Sequence, residues 1–220
     1  MRLNIVLIML IMAALLAGCN MLAYPLYVLA PRRSETVPAE VDDLAGKAVA
    51  IVIYADMDTQ YEYPRTRIEL STLIGKQLMD NVPDVRIVNP RRVTRYQDGN
   101  LRWDTQPMGE IGRALEADYV LYVSLSEFTT HEPGSINLPV GRVSASVSLW
   151  DAARPASDPD ACVWHKTNLA VQVDANSGPL AWDPNALRLQ MQQAFADRLA
   201  KHFYEHKVPL DDSGPPVDRT

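Results

Sequence analysis

The sequence DYVLYVSLSEF, residues 118–128, decides the fold because it is the strongest strand pattern in the chain. Its first half carries apolar side chains on both alternating faces, which is typical of a strand covered on both sides in the centre of a sheet. A second run of the same kind, AVAIVIY at residues 48–54, follows Gly46 and Lys47. We therefore expect two buried strands in a sheet that is packed by helices.

The segments between these strands alternate between helical and extended patterns. Residues 65–80 predict a helix, residues 85–88 a short strand and residues 108–115 a short helix. The first of these helices is indicated by an apolar stripe formed by Leu70, Leu73, Ile74 and Leu78. The polar stretches 55–64 and 91–106 are expected to be loops. A single helical turn within the second is the alternative. Strands that are joined through helices pair in parallel.

The second half of the chain predicts a hairpin and a last helix. Residues 143–149 alternate strictly between apolar residues and serines, so they predict a half-exposed strand. Residues 162–173 alternate again, with the following side chains expected to point inward: Val163, Leu169, Val171 and Val173. These two strands should pair antiparallel. An apolar stripe predicts a helix over residues 184–206, with Pro184 in its first turn.

The predicted fold class is α/β, of the mixed, α+β-like kind. Its elements follow the order strand, helix, strand, helix, strand, strand, strand, helix, and they form one mixed five-stranded sheet. We expect this domain to span residues 47–206 of the 220-residue chain. Residues 19–46 predict an anchor and tether because of their prolines and charges. The polar, proline-rich residues 207–220 predict a disordered tail.

The composition excludes several classes of protein. Hydrophobic residues make up 47% and charged residues 22% of the chain, which are ordinary values for a globular protein. The net charge of −6 argues against binding nucleic acid, which favours a basic surface. Two cysteines are too few for a disulfide framework or a four-thiolate zinc site.

The N-terminus predicts a signal peptide over residues 1–18. The unbroken apolar run of residues 5–16 is too short to span a bilayer, which needs about 20 residues, but it has the length of a signal-peptide core. It leads into a tetrapeptide that resembles the lipobox of bacterial lipoproteins, Leu16-Ala17-Gly18-Cys19. The resemblance implies that Cys19 becomes the new N-terminus. Its thiol would carry a thioether-linked diacylglycerol, and its amine would be acylated with a fatty acid such as palmitate. Two or more acyl chains hold a protein stably on a membrane.

An uncleaved membrane anchor is the alternative interpretation. Residues 5–30 could span a bilayer if Pro25 were tolerated. However, Arg32 and Arg33 follow the span, and the positive-inside rule then disfavours an orientation with the N-terminus in the cytoplasm. Asn20 stands after the cysteine, where aspartate retains lipoproteins at the inner membrane of well-studied two-membrane bacteria. The sequence therefore favours the periplasmic face of the outer membrane, with inner-membrane attachment left open.

Two stretches of the chain resemble a family of envelope lipoprotein domains. They are LEADYVLYVSLSEF at residues 115–128 and GRVSASVSLWD at residues 141–151. The family includes the curli-secretion lipoprotein, the lipoprotein activators of penicillin-binding proteins and the N-terminal domain of the Tol–Pal translocation protein. The likeness covers about residues 47–206, and Glu116 replaces the family's usual glycine. The chain also resembles short lipoproteins of unknown function from planctomycete-type genomes.

The resemblance implies a role in assembly or partner binding rather than catalysis. The segment after the first strand has two interpretations. It is either a solvated loop with one or two packed tyrosines or a partner contact, because ligands of open α/β sheets favour the carboxyl ends of strands. Its tyrosines are suited to protein contact and its carboxylates lack the spacing of a calcium loop. The candidate residues are Asp56, Asp58, Tyr61, Tyr63 and Arg65.

Four other side chains are of types that can take part in catalysis or metal binding. Cys162 is unpaired once Cys19 is lipidated, and His165 is expected on the inward side of its strand. His202 and His206 would share one face of the last helix, where packing or capping is favoured over metal binding. No phosphate-binding loop, dinucleotide fingerprint or nucleophile elbow is present.

The sequence therefore predicts a non-enzymatic, membrane-anchored periplasmic lipoprotein without metal or cofactor. Its expected contacts are the membrane, through the lipid, and an envelope protein, but not nucleic acid. A homo-oligomer is left open. The alternatives are an envelope hydrolase that uses Cys162 or a histidine, and an accessory subunit of an envelope transporter.

Overall fold

The computed structural model describes residues 34–132, 139–155, 157–158, 161–174 and 183–209. The strands are β1 (Ser34–Val37), β2 (Ala48–Tyr54), β3 (Arg86–Ile87), β4 (Tyr119–His131), β5 (Pro139–Asp151), β6 (Cys162–Asp174) and β7 (His206–Pro209). The helices are α1 (Met57–Glu62), α2 (Thr66–Asn81), α3 (Pro90–Gly99), α4 (Met108–Leu115) and α5 (Pro184–Ala200), with short 3₁₀ turns at Trp103–Thr105 and Lys201–Phe203.

The predicted mixed sheet of five strands is confirmed. Its order is β3-β2-β4-β5-β6, with β2 parallel to both β3 and β4 and the last three strands antiparallel. The parallel pair runs from Val49 opposite Tyr119 to Tyr54 opposite Ser124. The strand identified from residues 118–128 is therefore central, as expected.

Apolar side chains on both faces explain why β2 and β4 occupy the centre. The first six residues of β2 are buried, from Ala48 to Ile53. The carboxylate of Asp118 fixes the relative register of the two strands, because its Oδ2 accepts a hydrogen bond from the backbone N–H of Ala48 at 2.7 Å. The N–H of Asp118 donates in return to the Ala48 carbonyl at 2.8 Å.

Helices cover the two faces of the sheet unequally. The larger core lies under α2 and α5 and includes Leu70, Ile74, Met191, Phe195 and Leu199. The smaller core lies on the opposite face, where α3 and α4 cover β2 and the start of β4; its buried residues include Val52, Val93, Ile111, Leu115 and Val120. The apolar stripes predicted for α2 and α5 thus contribute to the larger core.

Two expected loops contain helices instead. Residues 57–62 form α1, whose N-cap Asp56 accepts a hydrogen bond from the N–H of Thr59. Residues 90–99 form α3, where Asn89 caps the N-terminus and Pro90 occupies the first turn. Asn followed by Pro is a helix start. The polar composition of both segments obscured this local capping chemistry.

The inward face predicted for the start of β6 is wrong. Asn168 adopts a left-handed conformation (φ 55°) where the pairing with β5 shifts by one residue. Such a bulge reverses which residues face the core. Leu169 therefore points inward as expected, but Val163 is 38% exposed and His165 is exposed.

The boundaries of the domain also differ from expectation. Leu44, inside the predicted tether, is fully buried. Its burial was not predicted, because one leucine among prolines and charges gives no periodic pattern. The last helix ends at Ala200 rather than residue 206. In the predicted tail, β7 pairs with β1 in a two-stranded sheet, and residues 210–220 lie outside the described part.

The chain divides into two compact units. One is Pro38–His206, which holds the five-stranded sheet and all the helices described above. The described part of the other comprises β1 and residues 207–209. None of the helices in the described segments is both long enough and apolar enough to cross a membrane.

The contact between α4 and the end of β5 gives a stability test. A Cβ on Gly112 would lie 2.5 Å from the Cβ of Ala152 and 3.0 Å from Val120, which is too close for either to remain in place. We expect Gly112→Ala to lower the free energy of unfolding by about 1–3 kcal/mol in urea denaturation. The matched control is Gly99→Ala on α3, where a Cβ meets nothing within 4 Å. Equal stability of the two variants would contradict the packing.

Candidate partner-binding site

The segment after β2 is held in a defined conformation by local hydrogen bonds. Asp56 caps α1, and hydrogen bonds from Thr59 lower the pKa of its carboxyl. The side-chain amide of Gln60 donates to the carbonyl of Ala55 at 2.7 Å. An isolated helix of six residues is not stable on its own, so these contacts and the flanking chain must maintain α1.

No residue of α1 is buried, and two of its large apolar side chains face solvent. Met57 is 85% and Tyr61 is 92% exposed. They are four residues apart, so they lie on the same side of the helix. Together these two residues form what we call the α1 patch. Tyr61 was among the predicted contact residues, whereas Met57 was missed, because the stretch was interpreted as a loop without helical spacing.

Tyr63 has a structural role at the base of this segment. Its hydroxyl lies 3.0 Å from the Oγ1 of Thr130, and its ring packs edge-on against Phe128 with centroids 5.0 Å apart. Burial raises the pKa of Tyr63. This predicted residue therefore ties α1 to the far end of β4 instead of standing free for a partner.

The two remaining predicted residues differ in their surroundings. Asp58 is exposed in the first turn of α1, where a negative charge favours the helix. Arg65 is exposed just before α2 and forms an ion pair with Glu69 at 3.5 Å. The structure thus brings Asp58 next to the α1 patch and directs Arg65 towards α2.

Cys162 lacks the surroundings of a nucleophile. The thiol is half-buried at the start of β6 and lies 3.4 Å from the carbonyl of Trp164. Burial raises the pKa of Cys162. A reactive cysteine requires a lowered pKa from a nearby cation or helix N-terminus.

The histidines also lie apart from one another. His165 is exposed on β6, whereas His202 is in the 3₁₀ turn and His206 begins β7, so the shared helical face expected for the last two does not exist. Within the described residues, no group of three or more His, Cys, Asp or Glu side chains is arranged to hold a metal ion.

A polar cluster that the sequence did not predict surrounds Glu40. The indole N–H of Trp164 donates to Glu40 Oε2 at 2.7 Å, and His202 Nδ1 lies 2.9 Å from Oε1. Lys166 Nζ lies 3.6 Å from the same oxygen. We call Glu40, Trp164, Lys166 and His202 the Glu40 cluster. The backbone N–H of Glu40 also donates to the His202 carbonyl, so the cluster holds this segment against the 3₁₀ turn after α5 as well as against β6.

Burial and nearby charges shift the pKa values of Glu40 and His202 in this cluster. Burial raises the pKa of Glu40, but the hydrogen bond from Trp164, with His202 and Lys166 nearby, outweighs burial and leaves that pKa below its ordinary value. Burial lowers the pKa of His202, helped by Lys166 and Arg198 and opposed by Glu40. The folded protein therefore favours neutral His202 beside ionised Glu40.

A shallow groove lies near this cluster. It encloses about 460 Å³ between Pro38, Asp42, Val82, Phe203 and Glu205. Neither cysteine nor histidine lines it. The groove therefore does not connect Cys162 or His165 to a carboxylate.

Comparison with known proteins yields structural likeness only. No family model and no curated protein matches the chain. Among solved structures, the PelC dodecamer from Paraburkholderia phytofirmans is 12% identical, with a TM-score of 0.41 over 76% of this chain and 96% of that one. Lipoprotein GNA1162 from Neisseria meningitidis is 15% identical, with a TM-score of 0.43 over 70% and 98%. A putative lipoprotein from Caulobacter crescentus CB15 is 18% identical, with a TM-score of 0.30 over 70% and 82%.

The predicted lipobox, Leu16 to Cys19, lies outside the described residues. Lipidation of Cys19 therefore stays a prediction from the sequence, as does the family resemblance.

The Glu40 cluster predicts a pH-dependent stability. As the pH falls below the ordinary histidine pKa of 6.5, the unfolded chain takes up a proton that folded His202 resists, so the free energy of unfolding should decrease. A second decrease should follow below pH 4.5, where Glu40 is protonated in the unfolded chain first. Urea denaturation at pH 7.5 and 5.5 measures the first effect.

His202→Gln should reduce the difference in the free energy of unfolding between pH 7.5 and pH 5.5. The exposed control His165→Gln should preserve that difference. The same pH dependence in both variants would show that His202 is not its source.

Proposed function

We propose that this chain is a lipid-anchored protein of the bacterial cell envelope that binds another envelope protein through the α1 patch, without catalysing a reaction. Attachment is through Cys19, on the periplasmic face of the outer membrane. The observation that carries the binding surface is a helix with no buried residue that presents Met57 and Tyr61 to solvent.

The composition of the α1 patch suits a protein partner. Tyrosine and methionine are enriched at protein interfaces, and a few such residues supply most of the binding energy. Single exposed apolar residues are common on protein surfaces, but here two lie together on one side of a helix. Asp58 beside them adds a charge that can restrict the choice of partner.

Local rigidity supports the same role. The cap at Asp56, the Gln60 side chain and the anchored Tyr63 fix α1 before any partner arrives. A surface that is already ordered loses less conformational entropy on binding than a flexible loop does. The contacts that maintain α1 therefore favour recognition.

A non-enzymatic role is favoured by the environment of the only thiol in the described residues. Cys162 has a raised pKa and is packed against a backbone carbonyl, and the groove does not reach it. Those surroundings are unfavourable for nucleophilic catalysis.

Lipid attachment is tested by Cys19→Ser. We expect this variant to accumulate as unprocessed precursor without incorporated fatty acid, because the modified thiol is absent. Labelling cells with radioactive palmitate and measuring the size of the protein detects both effects. The matched control is Cys162→Ser, which should be labelled and processed normally. Normal labelling of the Cys19 variant would contradict the lipobox.

Partner binding is tested by the double variant Met57→Ser/Tyr61→Ser. Loss of two anchor residues should weaken capture of the partner from detergent-solubilised envelopes by at least about tenfold, because interface hot spots contribute about 1–2 kcal/mol or more each. The stability should change little, since neither side chain is buried.

The matched control is Met79→Ser on α2, which removes a 55% exposed methionine away from α1. Capture should be unaffected by this change. If the double variant captures the same protein as well as the control does, the α1 patch is not the binding surface.

A further inference from the structure

Most arginine side chains in the described residues form contacts within the molecule. Nine of the twelve form an ion pair or donate a hydrogen bond to the protein: Arg65, Arg67, Arg86, Arg92, Arg113, Arg142, Arg154, Arg188 and Arg198. The other three, Arg91, Arg95 and Arg102, are exposed, and no carboxylate in the described part lies within ion-pair distance of them.

These three arginines belong to one short segment. Arg91 and Arg95 are one turn apart on α3, and Arg102 lies in the turn that follows. The opposite side of α3 is fixed to the domain by Val93, which is buried, and by Gln97, whose side-chain amide donates to the carbonyl of Ile53 at 2.9 Å. The arginines therefore extend outward from a rigid support.

Helix stability does not explain their positions. Arg91 is in the first turn of α3, where the helix dipole disfavours positive charge, and Arg95 is a like charge four residues away. The one acidic residue of α3, Asp98, is paired with Arg67 at 2.7 Å. Unpaired positive charge at such a site is suited to an anionic ligand.

Leu101 adds an exposed apolar side chain to the same segment. It is 95% exposed and lies next to Arg102 in the turn after α3. We call Arg91, Arg95, Leu101 and Arg102 the α3 face.

We propose that the α3 face rests on a membrane that contains anionic phospholipid, with the three guanidinium groups on lipid phosphates and Leu101 inserted among the headgroups. Guanidinium groups bind phosphate through paired hydrogen bonds. A basic surface with an apolar side chain beside it is the composition that binds at a lipid interface. An acidic protein surface would complement the same arginines, so the experiment must distinguish that occupant from a membrane.

This inference rests on the lipid anchor of the proposed function. From Cys19 to Pro38 the chain can extend by at most about 60 Å, whereas a domain of this size has a radius of gyration of about 15 Å. The anchor therefore allows any side of the domain to reach the bilayer. The α3 face would select one side and so determine where the α1 patch points.

Hydrogen exchange on the full-length lipidated protein in vesicles tests the inference. One set of vesicles contains phosphatidylcholine only, and the other contains phosphatidylcholine with phosphatidylglycerol. We expect slower exchange over residues 90–103 on the anionic vesicles in 0.1 M salt. The slowing should disappear in 1 M salt, where the Debye length shrinks to about 3 Å.

A charge-matched pair of variants makes the test specific. Arg91→Gln/Arg95→Gln should reduce the slowing by about twenty-five-fold, since each of the two basic residues near an anionic surface contributes about a fivefold effect. Lys76→Gln/Lys201→Gln removes the same charge from α2 and from the turn after α5, which lie on the opposite face of the sheet from α3. This variant should keep the slowing. Leu101→Ser should reduce it without changing its salt dependence.

Three outcomes would overturn the inference. Equal exchange on both kinds of vesicle would refute it and leave the anchor intact, because attachment to neutral vesicles reports the anchor separately. Slowing only after an envelope protein is added to neutral vesicles would assign the α3 face to that protein. Failure to attach to either kind of vesicle would refute the lipid anchor itself and with it this inference.

Discussion

The parallel pairing of β2 with β4 is the constraint on which the rest of the structure depends. Two parallel neighbours cannot be joined by a tight turn, so the chain must cross over between them and cover the sheet on the way. That connection supplies α1 to α4 and the short strand β3. Asp118 fixes the register of the pair through the N–H of Ala48. The antiparallel strands β5 and β6 then extend the sheet in one direction only.

The crossover also places the surfaces to which we assign function. The α1 patch follows the carboxyl end of β2, and α3 is attached to the same end through Gln97 and the carbonyl of Ile53. Both surfaces are thus supported by β2, whose first six residues are buried. A rigid support allows exposed side chains such as Tyr61 and Arg95 to be presented without deforming the core.

Hydrophobic periodicity was sufficient for the sheet but not for the site. The apolar runs around Ile51 and Leu121 predicted the central strands, because strands buried on both faces leave a strong pattern. The helix α1 was missed because local hydrogen bonds, such as the cap at Asp56 and the bond from Gln60, hold it in place, and it has no apolar face that is buried. The Glu40 cluster joins residues more than 120 positions apart, so no local pattern could reveal it. The inward face of β6 was misassigned because one left-handed residue, Asn168, reverses the alternation.

The same bulge has a consequence for solubility. In the described sheet, β6 is a 13-residue edge strand, and a regular edge of that length would be a template on which other chains could add strands. Asn168 interrupts its hydrogen-bonding pattern, and Lys166 points a charge towards Glu40 on the inner side. Irregular backbone and inward-pointing charge are both devices that protect sheet edges from aggregation. The membrane attachment that we propose would increase the need for that protection, since copies of a protein meet more often on a surface than in solution.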